Sequence, residues 1–370
     1  MKTKALYVGS FDPVTYGHMD IIKRACAMFP YVEIAVGENP NKKYMFSHKE
    51  RVNMLAIALD LLGSSVRGKV GLARFPVRSL TADHARMYGF DVIIKGARTN
   101  QDFDYEKLIH EVSLTQQHKL ETVLLFSSAS LSHVSSSAVK ELAKYQGLIH
   151  EYVPIHVKGG IENKLDQRII GVTGTIGSGK STLCKKMVMD FGAHHVNMDS
   201  IAHELLTSNL PIAEETREKV QESFGTLDRK VLGETVFANE SDLKLLNSIY
   251  REPMLTMLRD KLSTLKGPIV LEGALLVEMD WLFLCNNRVI VVKTPSKQEH
   301  VTRLSSRGYS SDQMERRINS QYTYDEKYGS ITAAIGKDLY GKCIVVDTED
   351  VNNVAAKMIE IGHFVRGENE

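Results

Sequence analysis

"RIIGVTGTIGSGKS", residues 168–181, runs from an almost wholly apolar segment into a glycine-marked loop and on into a helical pattern. Gly174 to Ser181 match GxxxxGK[ST]. The residue types follow from the task of holding a polyphosphate. Gly174, Gly177 and Gly179 let the backbone wrap an anion, with the N–H groups of Thr175, Ile176 and Ser178 among those turned inward. Lys180 neutralises β- and γ-phosphates, Ser181 offers a hydroxyl to Mg²⁺, and Thr182 follows in the same helical turn. In open parallel sheets ligands bind where a strand ends and a helix begins. The stretch therefore predicts a parallel α/β domain that takes a nucleoside triphosphate.

Outward from this loop, further short apolar runs predict strands at 194–199, 268–273, 288–293 and 343–347, joined by long and mostly helical connections. Upstream, a second series reads as strands at 5–9, 32–36, 69–75, 91–96 and 121–126. Helical patterns alternate with them near 17–28, 48–62, 79–88, 102–118 and 135–145. Short strands that are apolar on both faces belong to parallel sheets covered by helices. Between the two series, "VPIHVKGGIENKLDQ" (153–167) carries Pro154, Gly159 and Gly160 and reads as a linker. The predicted fold class is α/β, two tandem doubly wound parallel-sheet domains, with domains at 1–157 and 168–370 and a linker at 158–167.

Composition narrows the function classes. The 370 residues carry 46 basic and 45 acidic side chains, a net charge of +1, so no global field points to nucleic acid or to an anionic membrane. Attraction to anions must be local. The four cysteines, Cys26, Cys184, Cys285 and Cys343, form no CxxC pair and suggest buried thiols in a reducing compartment. No apolar run approaches the roughly 20 residues of a membrane span, and the first residues read as neither signal nor transit peptide. A cytoplasmic protein is expected.

In the second domain Asp199, in "VNMDSIAHEL", is read as closing a strand on the same edge as the phosphate loop. There a carboxylate can orient an attacking hydroxyl and accept its proton, or cap the following helix. "TRLSSRGYSSDQMERRINSQ" (302–321) sets Arg303, Arg307, Arg316 and Arg317 on helical segments about a short turn, as a phosphate lid or a solvated basic face would. Together with "LDRKVLGETVF" (227–237), these motifs resemble dephospho-coenzyme A kinases over about residues 168–360. The resemblance implies phosphorylation of the ribose 3′-hydroxyl of dephospho-CoA with ATP and Mg²⁺. It makes Asp199 the base, gives Lys180 and Ser181 the ATP–Mg²⁺, and makes Arg307 the lid arginine. The sequence departs from the family's His-Pro at Glu252-Pro253 and from its "PLLFE" at "LEGALLVE", with Glu272 and Ala274. The Ala-Asp usual before the last strand is missing in "LYGKCIVV".

The first domain opens on a parallel junction. "GSFDPVTYGH" (9–18) follows the first apolar run and sets His18 at a helix start. A phosphate attacking the α-phosphorus of ATP builds charge on a crowded phosphorus, and donors are needed there. His18 with nearby N–H groups can supply them. Lys42, then Lys95, Arg98 and Glu106, then Ser135, Ser136 and Ser137 lie at later strand-to-helix junctions and can converge on one cleft.

Together these blocks resemble phosphopantetheine adenylyltransferase over about residues 4–157. The resemblance implies AMP transfer from ATP to 4′-phosphopantetheine. Ser10 and His18 contact phosphates, Lys42 and Arg98 grip them, and Phe11, Gly17, Lys95, Gly96, Glu106 and Ser135 to Ser137 complete the ATP site. Lys95 replaces the family's arginine and Ser113 its asparagine, and "LSHV" stands where an aromatic-Ser-Phe-Ile is usual.

The two resemblances name consecutive reactions, as in a bifunctional coenzyme A synthase: a Rossmann-like nucleotidyltransferase followed by a P-loop kinase. Implied partners are ATP, 4′-phosphopantetheine and dephospho-CoA, with Mg²⁺ as cofactor and neither nucleic acid nor membrane. A homo-oligomer through the adenylyltransferase domain stays open. Two alternatives share these residues. One is another nucleotide adenylyltransferase fused to a small-molecule kinase; the other is a fusion with one domain inactive, serving as a CoA or nucleotide sensor.

Overall fold

A computed structural model describes residues 3–39, 41–73, 80–115 and 120–367. The chain divides into two compact units, Met1–Ala143 with Leu148–Ile161 and Lys144–Gly147 with Glu162–Glu370.

The first unit holds β1 (Lys4–Gly9), β2 (Tyr31–Val36), β3 (Val70–Leu72), β4 (Val92–Ala97) and β5 (Glu121–Phe126). They pair in parallel in the order β3-β2-β1-β4-β5. Central strands are apolar because both faces are covered: Ala5 and Leu6 of β1, Ile34 and Ala35 of β2 and Ile94 of β4 are fully buried. The chain moves outward in one direction from β1 to β3 and in the other from β4 to β5. The reversal between β1 and β4 opens a crevice at their carboxyl ends. Helices Tyr16–Met28, His48–Asp60, Thr81–Met87, Asn100–Thr115 and Ser136–Lys144 match the expected periodic segments, and a short helix at Ser64–Arg67 adds to them. Residues 74–79 and 116–119, the ends of one expected strand and two expected helices, lie outside the described residues.

The second unit holds β6 (Gln167–Thr173), β7 (His194–Asn197), β8 (Gly267–Glu272), β9 (Arg288–Val292) and β10 (Lys342–Val346), parallel in the order β10-β9-β6-β8-β7. The phosphate-loop motif follows the central strand β6 and leads into helix Lys180–Phe191. Fully buried Ile170, Val172, Val270 and Ile290 pack with Leu183, Cys184 and Met187 of that helix in one core cluster.

Two expectations are corrected. The strand expected over 194–199 ends at Asn197, whose side chain accepts from the N–H groups of Asp199 and Ser200 and starts helix Met198–Thr207. The segment read as a linker contains a helix, Ile155–Lys164. Its Val157 and Ile161 are fully buried, and His156 Nε2 pairs with Met54 O at 2.9 Å. Gly160 marks close packing there, since a Cβ would stand 2.4 Å from Met54 Cε. Among the described residues, no helix is long and apolar enough to cross a membrane.

Candidate active sites

The carboxyl ends of β1 and β4 open into a cavity of about 1130 Å³. Its lining brings together Ser10, Phe11, Gly17, His18, Lys42, Lys95, Gly96, Arg98, Glu106 and Ser135 to Ser137, every residue expected at this site. His18 sits in the first turn of helix Tyr16–Met28. Thr15 N–H donates to its Nδ1 at 3.1 Å, so Nδ1 is the acceptor and the ring proton resides on Nε2. Burial, helped by the Arg98 charge, pushes His18 down to about 4. The ring is a neutral donor at pH 7. Phe11, buried and held at φ 46°, meets this ring edge-on with centroids 5.1 Å apart.

Neighbouring groups set the cations. Lys95 pairs with Glu106 at 3.1 Å, and Arg98 with Asp102 at 3.3 Å. Lys42 is exposed and has no ion-pair partner among the described residues. Ser135 accepts from Ala138 N–H, capping helix Ser136–Lys144, while Ser136 Oγ donates to Pro13 O. The seryl N–H groups therefore stand at a helix N-terminus, where anions are favoured.

Sequence reading missed what carries these groups. Asp12, 5% exposed, accepts from the N–H groups of Met45 and Phe46 and from Lys140 Nζ at 2.7 Å. It thereby ties the opening loop to the segment after Lys42 and to the serine helix. Arg51, buried on helix His48–Asp60, donates to Ser10 O and Gly37 O. The only local signal was the polar Asp12 inside the turn "SFDP".

The second unit carries a cavity of about 630 Å³. Ile176, Gly177, Gly179, Lys180, Ser181, Asp199 and Arg307 line it; Gly174, Thr175, Ser178 and Thr182 do not. Gly174 (φ +150°) turns the chain tightly, since a Cβ would lie 2.6 Å from Val292 O. Lys180 is 8% exposed and donates to Gly174 O and Thr175 O. Burial pushes it down to about 8 against the pull of Asp199 and Glu272. Asp199 is not a strand end but lies in the first turn of its helix, exposed at the cavity edge.

Arg307 occupies the turn between helices Lys297–Ser305 and Ser311–Asn319. Arg317 also lines the cavity, with its guanidinium over Phe237 and Tyr309, whereas Arg303 donates to Thr348 and pairs with Glu299. Gln321 reaches back to accept from Ile176 N–H at 2.9 Å.

The departure at Glu272 acquires a structural role. At the carboxyl end of β8, its Oε1 accepts from Ser181 Oγ at 2.6 Å. Its Oε2 meets His195 Nε2 at 2.8 Å and Asn197 Nδ2 at 3.0 Å. Burial works to raise Glu272, but the hydrogen bonds from His195 and Ser181 and the Lys180 charge hold it below the usual carboxylate range. A fully buried Lys327 pins the next loop, donating to Ala274 O and pairing with Glu278. Glu252, the other departure, is exposed and outside the cavity, while its neighbours Tyr250 and Met254 line it.

Comparison with known proteins separates the same two parts. Residues 6–142 match the cytidylyltransferase-like family. The phosphopantetheine adenylyltransferase of Synechococcus elongatus is 39% identical over 157 residues, spanning 42% of this chain and 90% of that protein. That of Prochlorococcus marinus is 41% identical over 161 residues, 44% of this chain and 98% of that protein. The enzyme of Desulfitobacterium hafniense is 39% identical over 166 residues, 45% of this chain and 97% of that protein.

The chain belongs to the phosphopantetheine adenylyltransferase family.

Beyond the part shared with those adenylyltransferases, residues 168–338 match the dephospho-CoA kinase family. An adenylyltransferase unit followed by a dephospho-CoA kinase domain is the architecture of a bifunctional coenzyme A synthase, and the chain is an enzyme of the last two steps of coenzyme A assembly. The adenylyltransferase unit supplies the neutral His18 and its cation cleft; the kinase domain supplies the phosphate loop and the Ser181–Glu272 pair.

Proposed function

We propose that the first cavity transfers AMP from ATP to 4′-phosphopantetheine and that the second phosphorylates the resulting dephospho-CoA at its ribose 3′-hydroxyl. In the first reaction a phosphate oxygen of the acceptor attacks the α-phosphorus of ATP. The bond to the β-bridging oxygen breaks, and pyrophosphate leaves. His18 donates from Nε2 to the crowded α-phosphate, Lys42 and Arg98 balance the charge on either side, and Ser10 holds phosphate oxygens. The N–H groups at Ser135 to Ser137 receive the β- and γ-phosphates, with Lys95 and Glu106 as a fixed pair at the rim. The observation that carries this half is the Thr15–His18 hydrogen bond, which leaves the ring proton on Nε2 of a side chain that lines the cavity.

In the second reaction the 3′-hydroxyl attacks the γ-phosphorus, its proton passes to Asp199, and ADP leaves. Lys180 and the loop from Gly174 to Ser178 hold the phosphates, while Arg307 offers its charge from the lid turn. Ser181 and Glu272 suit Mg²⁺, a hydroxyl and a carboxylate at the end of adjacent elements. When bound there, the ion neutralises charge on the β- and γ-phosphates. Both reactions are placed in the cytoplasm, in keeping with four cysteines that are all free thiols.

Acceptor choice tests the reading. With ATP and Mg²⁺, pyrophosphate release is expected with 4′-phosphopantetheine and not with nicotinamide mononucleotide. The reverse preference would assign the first cavity to a different adenylyl acceptor.

A further inference from the structure

Behind the phosphate loop, three side chains of different ligand chemistry converge. Cys184 Sγ, His195 nitrogen and a Glu272 carboxylate oxygen all lie within 4.8 Å of one another. They come from three elements. Cys184 is one helical turn beyond Ser181 on helix Lys180–Phe191, His195 lies on β7, and Glu272 ends the adjacent β8. Cys184 and Glu272 are buried, whereas the His195 side chain is 24% exposed and leaves a route from solvent.

We propose that Cys184, His195 and Glu272 form a binding site for a thiophilic divalent cation such as Zn²⁺, and that its occupation shuts down the kinase reaction alone. Thiolate, imidazole and carboxylate are the zinc ligand types, and three protein ligands leave a fourth position for water. Ligand atoms about 2.0–2.3 Å from zinc stand roughly 3.5 Å apart, so the partly exposed His195 ring, 2.8 Å from Glu272 Oε2 in the free protein, must back away from that oxygen to admit the ion. Asn197 is not a ligand, because its Oδ1 already accepts from Asp199 and Ser200 N–H, and its Nδ2, which donates to Glu272 Oε2 at 3.0 Å, must release that oxygen to the ion.

Binding is a ligand exchange without redox change. The thiol S–H breaks, its proton passes to water and an S–metal bond forms, while the His195 hydrogen that Nε2 donates to Glu272 moves to Nδ1 through solvent so that Nε2 can bind the ion. Burial and the Glu272 charge raise the Cys184 thiol in the free protein. A dication between sulfur and carboxylate reverses that bias by supplying the missing positive charge.

The link to catalysis is Glu272 itself. Its Oε1 accepts from Ser181, and its Oε2 serves His195 and Asn197. A cation drawn to the His195 side recruits the carboxylate that the Ser181 hydroxyl needs, and adds positive charge one helical turn from the phosphate loop. The adenylyltransferase cavity contains none of these residues. It serves as an internal control within the same chain.

The full-length protein, without nucleotide, is titrated with Cd²⁺ and the ultraviolet thiolate-to-cadmium charge-transfer band is recorded. The inference rests on the proposed kinase function only for its consequence; the band is read without turnover, so the two fail separately. A saturable band at one Cd²⁺ per chain is expected, reversed by Zn²⁺ and lost in Cys184→Ser. His195→Gln should weaken the affinity about tenfold or more. Zn²⁺ should inhibit phosphorylation of dephospho-CoA and spare pyrophosphate release, with Cys184→Ser keeping normal turnover and losing the inhibition. No band in the wild-type protein, or a band unchanged in Cys184→Ser, overturns the site. Equal inhibition of wild type and Cys184→Ser by Zn²⁺ overturns its coupling to the kinase.

Discussion

Glu272 Oε1 accepts a hydrogen bond from Ser181 Oγ at 2.6 Å across 91 positions of sequence. The pair places a carboxylate beside the hydroxyl proposed above to meet Mg²⁺. Because β8 ends on Glu272 and Ser181 lies in the first turn of the helix after β6, the sheet order that makes β6 and β8 neighbours is what creates it.

Replacing Glu272 with Gln keeps the shape and removes the charge. Phosphorylation of dephospho-CoA is expected to fall roughly 10²–10³-fold, the scale of a lost electrostatic partner at a reacting phosphate. The Mg²⁺ concentration for half-maximal rate should rise, and adenylyl transfer should stay at the wild-type rate. A Mg²⁺ titration of both reactions on one preparation checks this. Unchanged Mg²⁺ dependence would detach Glu272 from the ion.

The depressed Lys180 sets an alkaline limit. Its amine, at about 8, is charged below that pH and increasingly neutral above it. Since the charged form holds phosphate, kcat/KM for ATP in the kinase reaction should decline above pH about 8, approaching tenfold per pH unit. A profile flat to pH 10 would contradict the assignment. Adenylyl transfer, which does not use Lys180, lacks this limb.

His18 predicts the opposite kind of profile. With the imidazole at about 4, the neutral donor persists through the mildly acidic range, and adenylyl transfer should show no limb from this residue between pH about 5 and 7. Activity falls only as pH approaches 4, where the ring gains its second proton and Nδ1 can no longer accept from Thr15. His18→Gln, which retains an amide donor, should keep more activity than His18→Ala. An activity limb near pH 6.5 that His18→Gln abolishes would mean the ring works in its charged form.

Much of this was legible in the sequence, and the remainder has definite causes. The ten strands of the described residues announce themselves as short apolar runs because parallel sheets bury both faces. The two glycine-marked junctions, at Gly9 and Gly174, stand out because each follows the first strand of its sheet. Strand β7 reads two residues too long because Met198 and Asp199 continue its pattern; the side chain of Asn197, which stops it, acts through hydrogen bonds that spacing does not display. Gly159 and Gly160 suggest a flexible connection, yet Gly160 is small because Met54 needs the space.

The site residues divide in the same way. The residues proposed to touch phosphate sit in local motifs that the sequence displays; the residues that hold them in place do not. Glu272 looked like a loss against the kinase pattern because its partners Ser181 and His195 lie 91 and 77 positions away. Asp12 is likewise unremarkable until the sheet brings Lys140 to it across 128 positions.

Asp12 has its own consequence. Asp12→Ala leaves two backbone N–H groups and a lysine without their acceptor, which should cost about 2–4 kcal/mol. Thermal unfolding followed for the first unit should move down, and adenylyl transfer should weaken as the segment after Lys42 loses its anchor. Lys140→Met removes one partner only and should cost less. Equal stability of Asp12→Ala and the wild type would contradict the anchoring role.

The central claim is that one chain runs two reactions in sequence at two separate sites. The direct measurement is the mass of the product formed from ATP, Mg²⁺ and 4′-phosphopantetheine by the wild-type protein, His18→Ala and Lys180→Ala. Coenzyme A from the wild type, dephospho-CoA accumulating with Lys180→Ala, and unreacted acceptor with His18→Ala are predicted. His18→Ala should still convert added dephospho-CoA to coenzyme A. Loss of both reactions in both folded variants, or a wild-type product that stops at dephospho-CoA, would contradict it.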